Sequence, residues 1–337
     1  MSIGMAGFQT GVAIAKQGVN GTAATTGYVF LPAEDNDSLD YGQNYIDRSP
    51  AYGLRTKPAE FHRRDYIMPG GQLPSWAVGF GGSSVELLTV LRCFYQNYTI
   101  TDAGGGSSGY TWAFSPLTTN KASLANYETY TVSKVTGLTG TRNVYYRDSL
   151  GIGLDESWSA GDVLKMKLGV QSITTSIAGT PSGWGAAPTT LRTIGASEQA
   201  WYLYINSGTH TLYPTDLSSS VNFAAPDIAG AGLGYRARIT LGDMSGNCTL
   251  TVPRNSDVWQ ALEDAGDAYG TIRRVLSPAS TYVTGTLNAI TANTYWYGKL
   301  LRDPMPAGPS EDVTGPIEME VHNYTWSLLS AVGSAAI

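Results

Sequence analysis

The chain has 337 residues, of which 40 are glycine, 21 are tyrosine and only 14% are charged, with a formal net charge of −6 at pH 7. That length holds two domains that bury their own cores without a metal or disulfide staple. The shortage of Lys and Arg excludes a protein that grips DNA or RNA by displacing counterions, while leaving room for a surface along which DNA slides.

Residues 1–65 open with Gly7-Phe8, Gly11 and Val12-Ala13-Ile14-Ala15, then pass through the acidic run Glu34 to Asp40 into a basic segment of Arg48, Arg55, Lys57, Arg63 and Arg64. Opposite charge blocks interrupted by Pro32, Pro50 and Pro58 read either as an extended arm with contacts beyond its own core or as a solvated loop. Trp76-Ala77-Val78-Gly79-Phe80 reads as a short strand, followed after Ser83 and Ser84 by Leu87, Leu88, Val90, Leu91 and Phe94. That spacing is one buried helical stripe behind polar capping residues. Ala103 to Gly109 is a glycine-rich loop. Tyr127 to Val135 and Val144 to Tyr146 alternate apolar and polar positions, as a hairpin or meander does.

The same order returns in the second half. Thr249-Leu250-Thr251-Val252 precedes Asn255 and Ser256, and then Val258, Trp259, Ala261, Leu262 and Ala265 repeat the apolar stripe, every position displaced by 171 residues. Each half closes on a matching alternating strand: Leu164-Lys165-Met166-Lys167-Leu168 in one, Ile317-Glu318-Met319-Glu320-Val321 in the other. Arg147-Asp148 with Gly153 and Arg302-Asp303 with Gly308 stand upstream of them in the same order. These landmarks predict a mainly β chain of tandem duplicated β-sandwich or β-barrel domains, each with a short flanking α-helix. The first domain takes 1–65 and 66–180, a Pro-bracketed linker covers 181–194, and the second domain takes 195–337. Trp201 to Ile205 and Tyr235 to Leu241 are further strands expected in the second domain.

No catalytic chemistry stands out. His62, His210 and His322 are far apart and form no metal-ligand spacing, so no metal and no cofactor is expected. Gly230-Ala231-Gly232-Leu233-Gly234 lacks both phosphate-loop spacings and reads as a turn. Asp155-Glu156 and Glu311-Asp312 are paired carboxylates of the kind glycoside hydrolysis uses, yet both are placed in loops before the closing strands, where acidic turn residues are common. There is no Gly-x-Ser-x-Gly elbow. The two cysteines, Cys93 and Cys248, occupy non-equivalent places and read as small buried hydrophobes in a reducing compartment. No stretch reaches the ~20 apolar residues of a membrane span and the N-terminus lacks a secretion signal, so a soluble, non-enzymatic chain made in a cytoplasm is expected.

The chain resembles the tail tube proteins (major tail proteins) of long-tailed, siphovirus-like bacteriophages. The residues that carry the likeness are Gly11 to Gly18 with Gly21-Thr22-Ala23-Ala24, the Pro69-Gly70-Gly71 turn into Trp76 to Phe80, the short helix after it, and the closing strands from Asp162 to Ile173 and Pro316 to Trp326. The resemblance implies a β-sandwich or barrel core with a flanking helix and a long loop or arm. It also implies strands that join those of neighbouring subunits into one lumen wall, and rings stacked into a tube for DNA ejection.

It further implies a virion location after assembly in the host cytoplasm, the chain itself as main partner, a tape measure protein and a tail terminator beside it, and double-stranded DNA passing without specific binding. A duplicated subunit departs from the one-domain pattern of that family, so that three chains with pseudo-sixfold symmetry are favoured over six. Within the closing strands, Lys165 and Lys167 face the same way as Glu318 and Glu320 by the two-residue period. They are the expected contacts between Lys-bearing and Glu-bearing strands of neighbouring subunits. The competing readings are a two-domain β-sandwich adhesin or carbohydrate-binding module that uses surface Tyr and Trp, and another virion component such as a decoration or baseplate protein.

Overall fold

The computed structural model describes residues 11–31, 39–40, 43–47, 62–78, 85–102, 109–118, 126–136, 142–178, 194–226, 228–229, 236–253, 256–266, 268–277, 291–301 and 314–330. Among them the chain is mainly β, as the composition predicts. In chain order the first elements are β1 (Val12–Lys16), β2 (Val29–Leu31), β3 (Gln43–Asp47), β4 (His62–Ile67), β5 (Gly70–Gln72), β6 (Trp76–Ala77) and helix α1 (Val85–Tyr95). Next come β7 (Tyr98–Asp102), β8 (Tyr110–Phe114), β9 (Tyr130–Thr136), β10 (Arg142–Ser159), β11 (Lys165–Gln171) and β12 (Thr174–Ala178). After a 3-10 turn at Ala196–Glu198 follow β13 (Gln199–Ile205), β14 (Gly208–Leu212), β15 (Asp216–Phe223), β16 (Ile228–Ala229) and β17 (Arg236–Arg238). The last are β18 (Met244–Pro253), helix α2 (Ser256–Ala265), β19 (Tyr269–Leu276), β20 (Ala292–Leu301) and β21 (Thr314–Ser330).

Strand alternation decides which side faces the core. In β15, Leu217, Ser219, Val221 and Phe223 are buried, while Ser218, Ser220 and Asn222 are exposed. This is the pattern of an antiparallel sheet with one face on the core and one in water. The main sheet runs β6–β11–β10–β15–β18–β21–β20–β19–β13–β14, every neighbour antiparallel.

Two long strands carry it beyond that order. The first half of β10 pairs with β9, which leads to β1 and β2, and the last residues of β21 pair with β8, which leads to β7. The strand β12 continues β11 along β10, since Leu150 faces Gln171 and Arg147 faces Thr174. Among the described residues the ladders branch but form no ring, so the sheet is open there. It is nevertheless curled. Arg274 of β19 meets Glu156 of β10 across the interior, although β15, β18, β21 and β20 lie between them along the ladder.

Both helices are bracketed alike. The strand before α1, β6, pairs with β11 through Trp76↔Met166 and Ala77↔Lys165, and the strand before α2, β18, pairs with β21 through Cys248↔Met319 and Thr249↔Glu318. Both closing strands also pair with the strand before them, β10 or β20. Strands from either side of residues 181–194 are direct neighbours in the sheet, β10 beside β15 and β8 beside β21. One hydrophobic cluster extends from Val12 to Leu328. Of the predicted linker, residues 181–193 lie outside the described residues. Ile194 is buried and its amide donates to the Val78 carbonyl.

The helices differ in depth. Leu88, Val90, Leu91, Cys93, Phe94 and Tyr95 of α1 are all fully buried, so this helix is enclosed rather than laid on the surface. Its backbone rests on Gly151 of β10, where an added Cβ would stand 2.7 Å from the Phe94 Cα. Helix α2 buries Val258 and Trp259 and exposes Asp257, Gln260, Glu263 and Asp264. The predicted strand Tyr235 to Leu241 is shorter than expected. Tyr235 lies outside the described residues, and of 236–241 only Arg236–Arg238 form strand; the buried Arg236 guanidinium donates to the carbonyls of Pro69 and Ser172.

Candidate functional site

Lys165, Lys167, Glu318 and Glu320 are brought onto one outer face of the main sheet. Following the registers, one row reads Lys167, Asp155, Ser220, Asn247, Glu320, Lys299, Tyr269, and the next contains Lys165, Ser157, Ser218, Thr249, Glu318 and Leu301. Three strands separate the Lys pair on β11 from the Glu pair on β21, roughly 19 Å at the usual strand spacing. The four therefore do not meet within one chain. Each half carries its own cross-strand opposite-charge pair with the polarity reversed, Asp155 facing Lys167 and Glu320 facing Lys299. Lys165 also forms an ion pair with Asp162 at 3.0 Å, which together with the Val163 amide holds that exposed carboxyl below its ordinary range.

The paired carboxylates at 155 and 156 lie inside β10 rather than in a loop. Alternation turns Asp155 outward and Glu156 into the core. The partner that makes this tolerable, Arg274, is distant in sequence, so nothing near Glu156 signals burial. Arg274 Nη2 stands 2.5 Å from Glu156 Oε2 and donates to Thr294 Oγ1 at 3.1 Å. The Tyr324 hydroxyl donates to Glu156 Oε1 and accepts from Trp326 Nε1 at 2.5 Å. Trp296 Nε1 donates to Ser219 Oγ at 2.8 Å. The remaining guanidinium surface is covered by aromatic faces, with Trp201, Trp296 and Trp326 ring centres 5.4, 5.1 and 5.3 Å from its carbon. Burial pushes the Glu156 carboxyl above its ordinary range, against the opposing pull of Arg274. The pair of carboxylates at 311 and 312 lies outside the described residues, as do 103–108 and 230–235.

A second polar cluster ties α1 to the first strands. Arg92 Nη2 contacts both Glu128 oxygens at 3.2 and 3.1 Å and stacks over Tyr98, while Lys16 Nζ reaches Glu128 Oε1 at 2.7 Å. Burial alone would raise the Glu128 carboxyl. The hydrogen bonds from Lys16 and Tyr98 and the Arg92 charge outweigh it, and the group sits below its ordinary range. A carboxylate depressed in the folded state stabilises at pH values above its unfolded pKa and loses that contribution as pH falls through the folded value. Glu128→Gln should therefore cost about 1–2 kcal/mol in urea denaturation at pH 7 and less at pH 3. An equal loss at both pH values would show that packing, not charge, is what Glu128 supplies.

Among the described residues the strands paired along one side only include β7 with β8, β12 with β10, and β14 with β13. Their other sides carry backbone donors and acceptors without a ladder partner among the described residues. Ile177 on β12 is 54% exposed, and Thr209 and Thr211 on β14 are exposed. Sequence reasoning found none of these edges, because pairing order cannot be read from local periodicity.

Both cysteines are buried and free, and burial raises both thiols. Among the described residues no group of three or more His, Cys, Asp and Glu could hold a metal ion, and no helix is long and apolar enough to cross a membrane. His210 lies on β14 and His322 on β21, where its ring stands 5.8 Å from that of Tyr269. No protein-family model matches the chain, and no curated protein matches it either.

Proposed function

We propose that this chain is a structural protein that joins copies of itself into closed rings, stacked as the hollow tail tube of a long-tailed bacteriophage through which DNA is ejected. The observation that carries the reading is the set of one-sided strands β7, β12 and β14. An open sheet with several free margins is an aggregation hazard unless each margin meets a partner, and a closed ring of subunits supplies one everywhere. The repeated bracket of strand, helix and closing strand supports a tandem duplication, with three chains building a pseudo-sixfold ring. In that ring the Lys165 and Lys167 face of one subunit meets the Glu318 and Glu320 face of the next. A tape measure protein, a tail terminator and a virion location belong to the same proposal. An acidic chain poor in Lys gives phosphates little to hold, as a conduit needs.

The test is size-exclusion chromatography and negative-stain electron microscopy of the purified chain. Wild type is expected as hollow rings or ring-stacked filaments. Ile177→Lys combined with Thr211→Lys, which places charge on two free edges at exposed positions, is expected to remain monomeric with an unchanged thermal melt. A wild-type chain that stays monomeric at high concentration ends the proposal.

A further inference from the structure

Beyond assembly, we infer that the outer face of β20 and β21 around Tyr295 and Thr325, away from Glu318 and Glu320 and with the adjoining face of β7 and β8, is a binding platform for a neutral oligosaccharide. The face has two kinds of surface side by side. Along β20 stand Asn293, Tyr295 and Tyr297, and along β21 stand Asn323, Thr325 and Ser327, each facing its counterpart across the ladder. The small residues of β21 and β8 leave a trough of about 260 Å³ beside the taller tyrosines. Its polar lining comes from Asn97, Thr99, Ser115, Thr325 and Ser327, and Tyr295 forms its wall.

Both tyrosines are backed on the β19 side, and Tyr295 borders the trough. Tyr295 is backed from the β19 side by Arg273, whose guanidinium lies 5.6 Å from its ring centre and 5.8 Å from that of Tyr202. Arg273 is in turn fixed by Asn293 Oδ1 at 2.8 Å and the Tyr204 hydroxyl at 3.3 Å. Tyr297 is backed in the same way by Tyr269, ring centres 5.9 Å apart and nearly parallel, and is 46% exposed. The two rings are spaced by one strand repeat, roughly 7 Å, so successive units of an extended ligand could each lie against one of them.

The lining selects the ligand class. Hydroxyl and amide groups both donate and accept, which suits the alternating hydroxyls of a sugar. Aromatic faces suit the apolar C–H side of a pyranose ring. No carboxylate or cation lines the trough, and the Arg273 guanidinium stands on the β19 side of Tyr295, outside that lining. A peptide added as a strand would need a free ladder edge beside the tyrosines, whereas β20 is paired on both sides from Asn293 to Tyr297.

The experiment is saturation-transfer NMR of the purified chain against maltotriose, chitotriose, mannotriose and galactotriose, with sulfated and sialylated trisaccharides alongside. At least one neutral trisaccharide is expected to bind in the millimolar range or tighter. Tyr295→Ala should weaken it roughly tenfold. Ser327→Phe, which fills the trough from an outward-facing position, should abolish it, and Tyr213→Ala, an exposed tyrosine elsewhere, should leave it unchanged. Thermal melts establish that each variant is folded. Absence of binding by every neutral member at 10-millimolar scale, preference for the acidic members, or affinity untouched by both trough variants would each overturn the inference. Because the readout is ligand binding by the soluble chain, failure here leaves ring assembly standing, and failure of assembly leaves this site standing.

Discussion

Expressed apart, residues 1–180 and 195–337 are expected to give no cooperative unfolding transition, and a native melt is expected to return only when both pieces are produced together. The cut at the Pro-bracketed segment severs no secondary structure among the described residues, so apart from the contacts of Ile194 any loss reports on contacts between the halves. Those contacts are ladders. Separation strips β10 from β15 over Gly153 to Ser159, and β8 from the end of β21 over Phe114 to Tyr110. It also removes the inner-face neighbours of Glu156 and Arg274, leaving one buried charge on each piece. An unpaired buried charge costs several kcal/mol, comparable with the whole net stability of an ordinary domain. Circular dichroism melts and amide dispersion in NMR of the two pieces, alone and mixed, decide the matter. A sharp transition from 195–337 alone would show that its sheet is sufficient without β8 and β10.

How far the sequence anticipates this depends on whether a feature is local. The two apolar stripes give both helices, and Lys165-Met166-Lys167 and Glu318-Met319-Glu320 give the closing strands with the correct face inward, because periods of 3.6 and 2 are written within a few residues. The depth of α1 is not local, since it follows from β1, β2, β8 and β10 closing around it. The position of Glu156 is not local either. A carboxylate beside another carboxylate reads as a solvated turn until Arg274, Tyr324 and three tryptophans arrive from the other half. The sharing of one sheet by both halves depends on β10 and β21 being long enough to pass from one set of neighbours to another. In the run Arg142 to Ser159 the change from β9 to β15 falls between Ser149 and Gly153, where Gly151 and Gly153 flank a register irregularity, but such glycines do not say which strand takes over.

Replacing Arg274 by methionine is expected to destabilise the chain by about 3–5 kcal/mol at pH 7.5, the cost of leaving a buried carboxylate without its counter-charge. The volume is nearly kept and methionine packs well against aromatic rings, so cavity formation contributes little. The loss should depend on pH with a definite sign. Glu156 already lies above its ordinary range because of burial, and removing Arg274 removes the group that pulls it down.

A carboxyl raised in the folded state binds more protons than the unfolded chain between the unfolded and folded pKa values. Stability therefore falls as pH rises through that window, by up to about 1.4 kcal/mol per unit for one proton. Urea denaturation of Arg274→Met should thus show a smaller deficit at pH 5 than at pH 7.5, as the carboxyl becomes a neutral acid. Adding Glu156→Gln removes the charge while keeping a carbonyl to accept the Tyr324 hydroxyl. The double variant should recover more than half of the loss at pH 7.5 and show a flat profile. A deficit of the same size at both pH values, unrelieved by Glu156→Gln, would mean that Arg274 acts through its stacking on Trp201, Trp296 and Trp326 rather than through its charge. In that case the two halves are held together by aromatic packing.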